Sequence, residues 1–371
     1  MTDAATSDAR HMAAALLLAR RGLGRTWPNP AVGCVVTDAA GRVAGRGWTQ
    51  PSGRPHAETE ALKQAGLRAK GGTAYVTLEP CAHHGRTPPC ADALIDAGVA
   101  RVVAAIADPD PRTSGEGFGR LSAAGIAVTT GVRSAEATEV TAGFLSRILK
   151  GRPLFTLKMA MTLDGRIASH SGASRWITGE AARACGHLLR AQNDAVLAGI
   201  GTAIADDPLL DVRLPGLEDR RPVRIVADAR LRLPLTSRLA RTARTQPLWL
   251  LVRPDADRGR AAAFRDLGAE IVAVPVTATG ELDLAHAAAA LGERGLTRVL
   301  VEGGGRIAGA LVRAGLIDRI AAFRSGLVMG GDGLASIAAM GVDGPETAPR
   351  FDLARVERVG EDVLETWAAH A

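Results

Sequence analysis

Three side chains that bind borderline-soft cations stand far apart in this chain, and a fold must bring them together. His56 opens a helical stretch in Pro55-His56-Ala57-Glu58. Cys81 closes a strand-like run in Glu79-Pro80-Cys81, after 24 intervening residues, and Cys90 opens another helical stretch behind Pro88-Pro89, after eight more. One imidazole and two thiols give three protein ligands to Zn²⁺ and leave the fourth tetrahedral position for water. Two thiolates cancel the charge of the metal, and helix N-termini favour the thiolate at Cys90, and at Cys81 if a short turn follows it. Convergence requires the end of one strand and the starts of two helices to share one edge of a sheet.

The surrounding pattern supplies such a sheet. A helical segment over Asp8–Arg21, with Ser7 or Asp8 as its cap, precedes the Pro28-Asn29-Pro30 turn. Two short strands follow near 31–37 and 43–48, then a helix over 56–69 and a strand over 74–78. A helix over 89–97, a strand over 101–106 and a last helix–strand pair over 116–130 complete the run. The order predicts a mixed sheet with helices on both faces, an α/β class. Residues 134–149 read as a helix and Gly151-Arg152-Pro153 as a stop. At 371 residues the chain is long enough for two domains, expected as 1–148 and 149–371. The second half restarts with a strand over 154–161, and further strands are expected near 194–199, 223–227, 247–252 and 298–302. A hairpin is expected over 353–359 and 362–368.

Glu58 lies two residues beyond the histidine and is not needed as a ligand. Its use is as a proton shuttle, taking a proton from water and delivering it to a ring nitrogen and a departing amine, as in the H-x-E…P-C pattern of zinc deaminases. That pattern usually ends C-x-x-C, whereas eight residues separate the two cysteines here. The alternative is a closed structural site, with His83 or His84 as fourth ligand. Cys34, in Ala-Val-Gly-Cys-Val-Val, and Cys185 read as small core residues.

The net charge of +6 raises the question of a nucleic-acid partner. Residues 1–150 hold 17 Lys and Arg against 13 Asp and Glu, and the remainder 28 against 26, so the excess is spread out. Aromatic residues are 3% of the chain and do not interleave with the cations, as a base-stacking groove requires. The longest apolar run, Ala13–Ala19, is far short of a membrane span, and the N-terminus lacks a secretory signal. A cytoplasmic protein without nucleic-acid or membrane partners is expected.

In the second half the one glycine cluster, Gly303-Gly304-Gly305, follows an apolar strand and precedes a helical pattern. Such a turn either aims backbone N–H groups at a phosphate or is a plain loop. It is not the G-x-G-x-x-G fingerprint with an acidic residue about 20 positions on, which disfavours a Rossmann domain. Asp164-Gly165 reads alternatively as a hairpin turn, Asp206 as a helix cap and Trp176 as a core aromatic.

Asn29–Cys34 (NPAVGC), PHAE at 55–58, YVTLEPCAHHGRTPPC at 75–90 and DPDP at 108–111 resemble the bifunctional deaminase–reductases of riboflavin biosynthesis. So do KMAMTLDGR at 158–166, SRWIT at 174–178, RAQ at 190–192, GIGT at 199–202 and ADDP at 205–208, and the likeness covers essentially the whole chain. The resemblance implies a cytidine-deaminase-like α/β/α domain followed by a dihydrofolate-reductase-like α/β domain. It implies deamination of a diaminopyrimidinone ribotide with Zn²⁺, held by His56, Cys81 and Cys90 with Glu58 catalytic, then reduction of the ribosyl chain to ribityl with NADPH. By the same likeness Ala160, Trp176, Thr202, Asp206 and Gly303–Gly305 line the cofactor. Asn29, Lys158, Ser174, Arg190, Arg213 and Glu302 meet substrate, Asn29 being alternatively only a turn residue. Homo-oligomerisation is common in the family. Ala229, Gly305-Arg306 and Phe323-Arg324-Ser325-Gly326 depart from the reductase pattern, so a deaminase whose second domain only assembles the protein is the alternative.

Overall fold

The structure is a computed structural model describing residues 3–83 and 88–370; His84 lies outside the described residues. The chain divides into two compact units, Met1–Gly151 and Arg152–Ala371.

The first unit is one five-stranded sheet between helices. Its strands are β1 (Gly33–Thr37), β2 (Val43–Trp48), β3 (Thr73–Val76), β4 (Arg101–Ala104) and β5 (Ala127–Thr129), in the order β2-β1-β3-β4-β5. β1 runs antiparallel to both neighbours, and β3, β4 and β5 are parallel. Its helices are α1 (Asp3–Arg20), α2 (Ala57–Ala65), α3 (Cys90–Asp96), α4 (Glu116–Ala123) and α5 (Ser134–Lys150). Cys34, Val36, Val76, Val102 and Ala104 pack one core with Ala57 and Ala61 of α2, Leu94 of α3 and Leu121 of α4. Val35, Tyr75 and Val103 point to the opposite face and pack with Met12, Ala15 and Leu16 of α1 and Val140 of α5. Successive residues serve opposite faces, and because both faces are covered the strands read as unbroken apolar runs.

One close contact seats the helix that carries the site. A Cβ on Gly47 of β2 would lie 2.1 Å from the carbonyl oxygen of Ala57, so only glycine lets the first turn of α2 rest on the strand.

Two expectations at helix ends are corrected. The first helix starts at Asp3, so neither Ser7 nor Asp8 caps it. Asp8 is instead buried within the helix, accepting from Tyr75 Oη at 3.1 Å and from both terminal nitrogens of Arg101 at 3.0 and 2.8 Å. The helix after His56 ends at Ala65, where Gly66 leaves helical geometry (φ 55°, ψ −139°) and a 3₁₀ turn, Gly66–Ala69, completes the segment.

The second unit is built on nine strands: β6 (Leu154–Met161), β8 (Ala195–Gly199), β9 (Val223–Ala227), β10 (Leu248–Val252), β11 (Glu270–Ala273), β12 (Arg298–Val301), β13 (Arg319–Arg324), β15 (Phe351–Val359) and β16 (Asp362–Ala369). Their order is β11-β10-β9-β8-β12-β6-β13-β16-β15, parallel as far as β13, with the terminal hairpin antiparallel. A separate pair joins β7 (Arg166–Ala168) to β14 (Leu334–Ala335). The helices are α6 (Glu180–Ala191), α7 (Ile200–Asp206), α8 (Arg238–Arg241), α9 (Arg258–Asp266), α10 (Leu284–Glu293) and α11 (Gly305–Arg313). β11 and β13 were not expected: β13 reads Arg-Ile-Ala-Ala-Phe-Arg, too short and alanine-rich for periodicity to separate strand from helix. β12 returns between β8 and β6, which sets the C-terminal ends of β8 and β12 side by side. In open parallel sheets, ligands bind where strand order reverses in this way. Among the described residues no helix is long and apolar enough to cross a membrane.

Candidate active sites

The start of α2, the stretch after β3 and the start of α3 converge in the first unit. His56 is the residue before α2, with an extended backbone (φ −73°, ψ 162°) that leaves its ring free of capping. Its Nδ1 lies 3.3 Å from Cys90 Sγ and 3.7 Å from Cys81 Sγ, and the three donor atoms all fall within 4.8 Å of one another. Bonds of about 2.3 Å to sulfur and 2.0–2.1 Å to nitrogen, at a tetrahedral angle, separate N from S by about 3.6 Å. The donors as folded therefore fit zinc. They form the one metal-capable group of this kind among the described residues. His83 faces elsewhere, its Nδ1 3.3 Å from Thr113 Oγ1, so it is not gathered into the cluster.

The two thiols are unequal. The Cys90 side chain, its backbone N–H at 3.3 Å and His56 all favour charge on Cys81 and bring its thiol down to about 4. The partnership with Cys81 and burial push the Cys90 thiol up, although it opens a helix. The hydrogen bond to Cys81 raises His56. Glu58, 4% exposed, is pushed up to about 7, chiefly by burial and also by the Cys81 charge. A carboxyl poised near neutrality beside three metal donors is suited to taking and returning a proton.

A cavity opens onto Glu58 and His56, lined also by Asn29, Arg54, Asp108 and Arg112. Asn29 is both turn residue and lining group: its N–H donates to Thr26 O, and its Nδ2 donates to Gly53 O at 3.2 Å. Asp108 and Asp110 were legible only as part of the DPDP motif, and Arg112 not at all. Burial pushes Asp108 up to about 6, and Arg112 holds Asp110 low.

What places that wall is Glu79. One of its carboxylate oxygens accepts from the amides of Asp108 and Gly115, both at 3.2 Å. The other accepts from Gly117 and Phe118, at 3.0 and 3.3 Å. Glu79→Gln turns an amide NH₂ toward two N–H donors. We expect it to lower the stability of the first unit by about 2–4 kcal/mol, read by urea denaturation, and to raise the KM for the deamination substrate more than it lowers kcat. An unchanged midpoint would remove Glu79 as the anchor.

In the second unit, Glu302 follows β12 and lies largely buried between two cations. Arg190 of α6 donates from Nε and Nη2 to its two oxygens, at 2.5 and 2.9 Å, and Lys158 Nζ of β6 stands 3.8 Å away. Burial works against the Glu302 charge, but Arg190 and Lys158 outweigh it and hold the carboxyl at about 2. Arg190 also donates to Asp211 O at 2.8 Å; Arg213 pairs with the Asp211 carboxylate at 2.5 Å, and its backbone N–H donates to His187 Nδ1 at 3.2 Å.

Gly303–Gly305 lead from β12 into α11, and Gly304 N–H donates to Thr202 Oγ1 of α7 at 2.9 Å. A Cβ on Gly303 would lie 2.4 Å from Ile307 Cγ2, and one on Gly305 would lie 2.6 Å from the carbonyl oxygen of Ala335. Ala160 shares the half-buried face of β6 with Lys158.

Two side chains differ from their alternative readings, and a third keeps its turn while doing more. Trp176 is 67% exposed, with the Arg183 guanidinium 4.6 Å from its ring centre, and is not a core aromatic. Asp206 ends α7 and does not cap its start. Asp164-Gly165 is a turn, Gly165 N–H donating to Thr162 O at 3.0 Å, but Asp164 does more, as described below. Among the described residues no hydrogen bond or ion pair ties Ser174, Trp176 or Asp206 to Glu302 or to the glycine turn.

A histidine and two cysteines placed to hold a metal beside a buried glutamate are the donor set and acid–base group of a zinc deaminase, joined here to a parallel-sheet unit with a glycine turn at its switch point. Residues 5–106 match the cytidine and deoxycytidylate deaminase zinc-binding region, and residues 153–364 match the RibD C-terminal domain. The riboflavin biosynthesis protein RibD of Escherichia coli K12 is 42% identical, over 96% of this chain and 98% of that protein. RibD of Aquifex aeolicus is 40% identical, over 96% and 97%. Among solved structures, Acinetobacter baumannii RibD (form 2) superposes with a TM-score of 0.88 at 36% identity, covering 99% of this chain and 100% of that one. A Thermotoga maritima diaminohydroxyphosphoribosylaminopyrimidine deaminase/5-amino-6-(5-phosphoribosylamino)uracil reductase gives 0.86 at 32% identity, covering 99% of each.

The chain belongs to the RibD family, the bifunctional deaminase–reductases of riboflavin biosynthesis. The expected pairing of a cytidine-deaminase-like domain with a reductase domain holds, and the reading in which the second domain only assembles the protein gives way to the bifunctional one.

Proposed function

We propose that this chain deaminates 2,5-diamino-6-ribosylamino-4(3H)-pyrimidinone 5′-phosphate within residues 1–148, then reduces the ribosyl side chain of the product to ribityl with NADPH within residues 149–371. The observation that carries the first step is the convergence of His56, Cys81 and Cys90 beside the buried Glu58 in one cavity. His56, Cys81 and Cys90 would hold zinc, which would supply a water acidified toward a pKa of about 7. Glu58 takes one proton from the attacking water and gives it to the ring nitrogen, then takes the second from the hydroxyl so formed and gives it to the amine, which leaves as ammonia, while water oxygen replaces the amino group at C2. The Asn29 amide is fixed by Gly53 and presents its remaining groups to the edge of the heterocycle.

In the second unit the residues below would hold NADPH, which would supply the hydride for reduction at C1′. The Gly303–Gly305 turn with Thr202 offers backbone amides to its phosphates, and Ala160, Trp176 and Asp206 complete the lining. Lys158 stands beside the reacting sugar, aimed by Glu302 at 3.8 Å. Ser174, Arg190 and Arg213 face the substrate, where guanidinium groups suit its phosphate. The reading calls for a pyrimidine ribotide as substrate, no nucleic acid or membrane, a cytoplasmic setting and a homo-oligomer.

A coupled assay on freshly prepared ribotide with zinc-replete protein tests both steps. Ammonia release followed by equimolar loss of NADPH absorbance is expected. Ammonia without NADPH loss overturns the second assignment, and neither overturns both. Gly303→Val should raise the Kd for NADPH at least tenfold, since its side chain would occupy the space against Ile307, and leave ammonia release unchanged.

A further inference from the structure

The Met161–Ala168 turn and the segment 325–338 run together for most of their length. Ser325 N–H donates to Met161 O at 2.9 Å, Leu163 N–H to Leu327 O at 2.8 Å and Ser336 N–H to Gly165 O at 3.0 Å, while β7 pairs with β14. Asp164 closes the gap between these contacts. Its carboxylate accepts from Met329 N–H at 3.2 Å, from Gly330 N–H at 2.7 Å and from Thr162 Oγ1 at 2.5 Å. Thr162 is fully buried, and its hydroxyl in turn accepts from Arg166 N–H at 2.9 Å. The carboxylate thus takes two consecutive amides of a strap that has almost no regular structure of its own.

The far end of the same strap rests on the glycine turn. Ala338 N–H donates to Gly305 O at 2.9 Å, and a Cβ on Gly305 would lie 2.6 Å from Ala335 O and 2.9 Å from Ala338 N. Gly309, one turn further along α11, faces Ala338 O at 3.1 Å from where its Cβ would be. The first turn of α11 therefore sits against the strap, and the Gly304 amide is held from the other side by Thr202. A shift of the strap moves the N-terminus of α11, because no space lies between them to absorb it.

We propose that Asp164 is a positioning residue for the dinucleotide site: through the 325–338 strap it sets where the Gly303–Gly305 turn stands. The inference rests on the reading that this turn holds NADPH. Hydrogen bonding to Thr162, Gly330 and Met329 keeps the Asp164 carboxyl at about 2, so the anchor is charged at neutral pH. The residue touches neither dinucleotide nor substrate in this assignment, and its effect appears in cofactor affinity and not in the hydride step.

The test uses full-length, zinc-loaded protein and NADPH itself, with binding followed by fluorescence. Asp164→Asn keeps the shape but turns N–H groups toward Met329 and Gly330. Its Kd for NADPH should rise about tenfold, with kcat at saturating NADPH within twofold of wild type and ammonia release unchanged. Asp164→Glu keeps the charge and should stay within threefold. A Kd for Asp164→Asn within twofold of wild type overturns the proposal, and so does an equal loss in the Asn and Glu variants.

Hydrogen exchange on the unaltered protein gives an answer even if Asp164→Asn does not fold. Coupling between two sites is reciprocal, so NADPH should slow exchange at the Met329 and Gly330 amides, and no change there overturns the proposal. If Gly303→Val binds NADPH as wild type does, the reading of the turn fails by itself, whatever the Asp164 variants show.

Discussion

Glu58→Gln should abolish ammonia release, by about a thousandfold or more, while zinc content stays at one ion per chain. Glutamine fills the same buried space at the second position of α2 but has no carboxylate to take a proton from water, and positioned acid–base groups contribute about 10²- to 10⁴-fold. Here one group serves both the attack and the departure of ammonia, which places the loss toward the upper end. The same variant should still consume NADPH at the wild-type rate when supplied with the deaminated ribotide, because Glu58 lies in the first compact unit and the glycine turn in the second. Zinc analysis alongside the rate separates a lost shuttle from a lost metal. Deamination persisting within tenfold of wild type at full zinc occupancy would falsify the assignment.

The second large effect is expected at Glu302. Glu302→Gln leaves the Arg190 guanidinium and the Lys158 ammonium beside each other in a buried site without their anion. Removing one partner of a buried charge cluster costs about 3–5 kcal/mol, and the second unit should show it as a lowered denaturation midpoint, with reduction lost and ammonia release retained.

The pH dependence follows from the same cluster. The folded carboxyl sits at about 2 against an ordinary 4.5, a depressed value. Its contribution is therefore present above the unfolded pKa of 4.5, fades as pH falls through the interval, and is gone below about 2. The shift corresponds to about 3 kcal/mol. Denaturation followed between pH 6 and pH 2 should show wild type losing stability relative to Glu302→Gln as the acid limit is approached. Parallel curves would mean that Glu302 carries no linked stability.

The chemistry of the first site was legible because it resides in residue types. Imidazole, thiol and carboxylate at His56, Glu58, Cys81 and Cys90 have few other reasons to stand at helix starts and strand ends. Glu79 was not legible: its partners are the backbone amides of residues 108–118, and any sequence supplies amides. Asp8 misled for a related reason, since aspartate near a helix start is ordinarily a cap, and only the arrival of Tyr75 and Arg101 from β3 and β4 makes an interior carboxylate worth burying. Trp176 read as a core aromatic or, by resemblance, as a cofactor-lining one, because a large apolar ring fits both until the neighbours are known.

By itself the sequence determined the layered α/β architecture of the first unit, which depends on local periodicity, and named His56, Cys81 and Cys90, whose donor atoms the fold brings within 4.8 Å of one another. Tertiary structure decided the second site. The parallel strands β8, β9, β10 and β12 are all short apolar runs, interchangeable by composition, so nothing local says that β12 returns between β8 and β6. That insertion places Gly304 against Thr202 and Glu302 between Arg190 and Lys158. Strand order is selected by long-range packing over the whole sheet, a free-energy difference spread across many side chains and carried by no single motif.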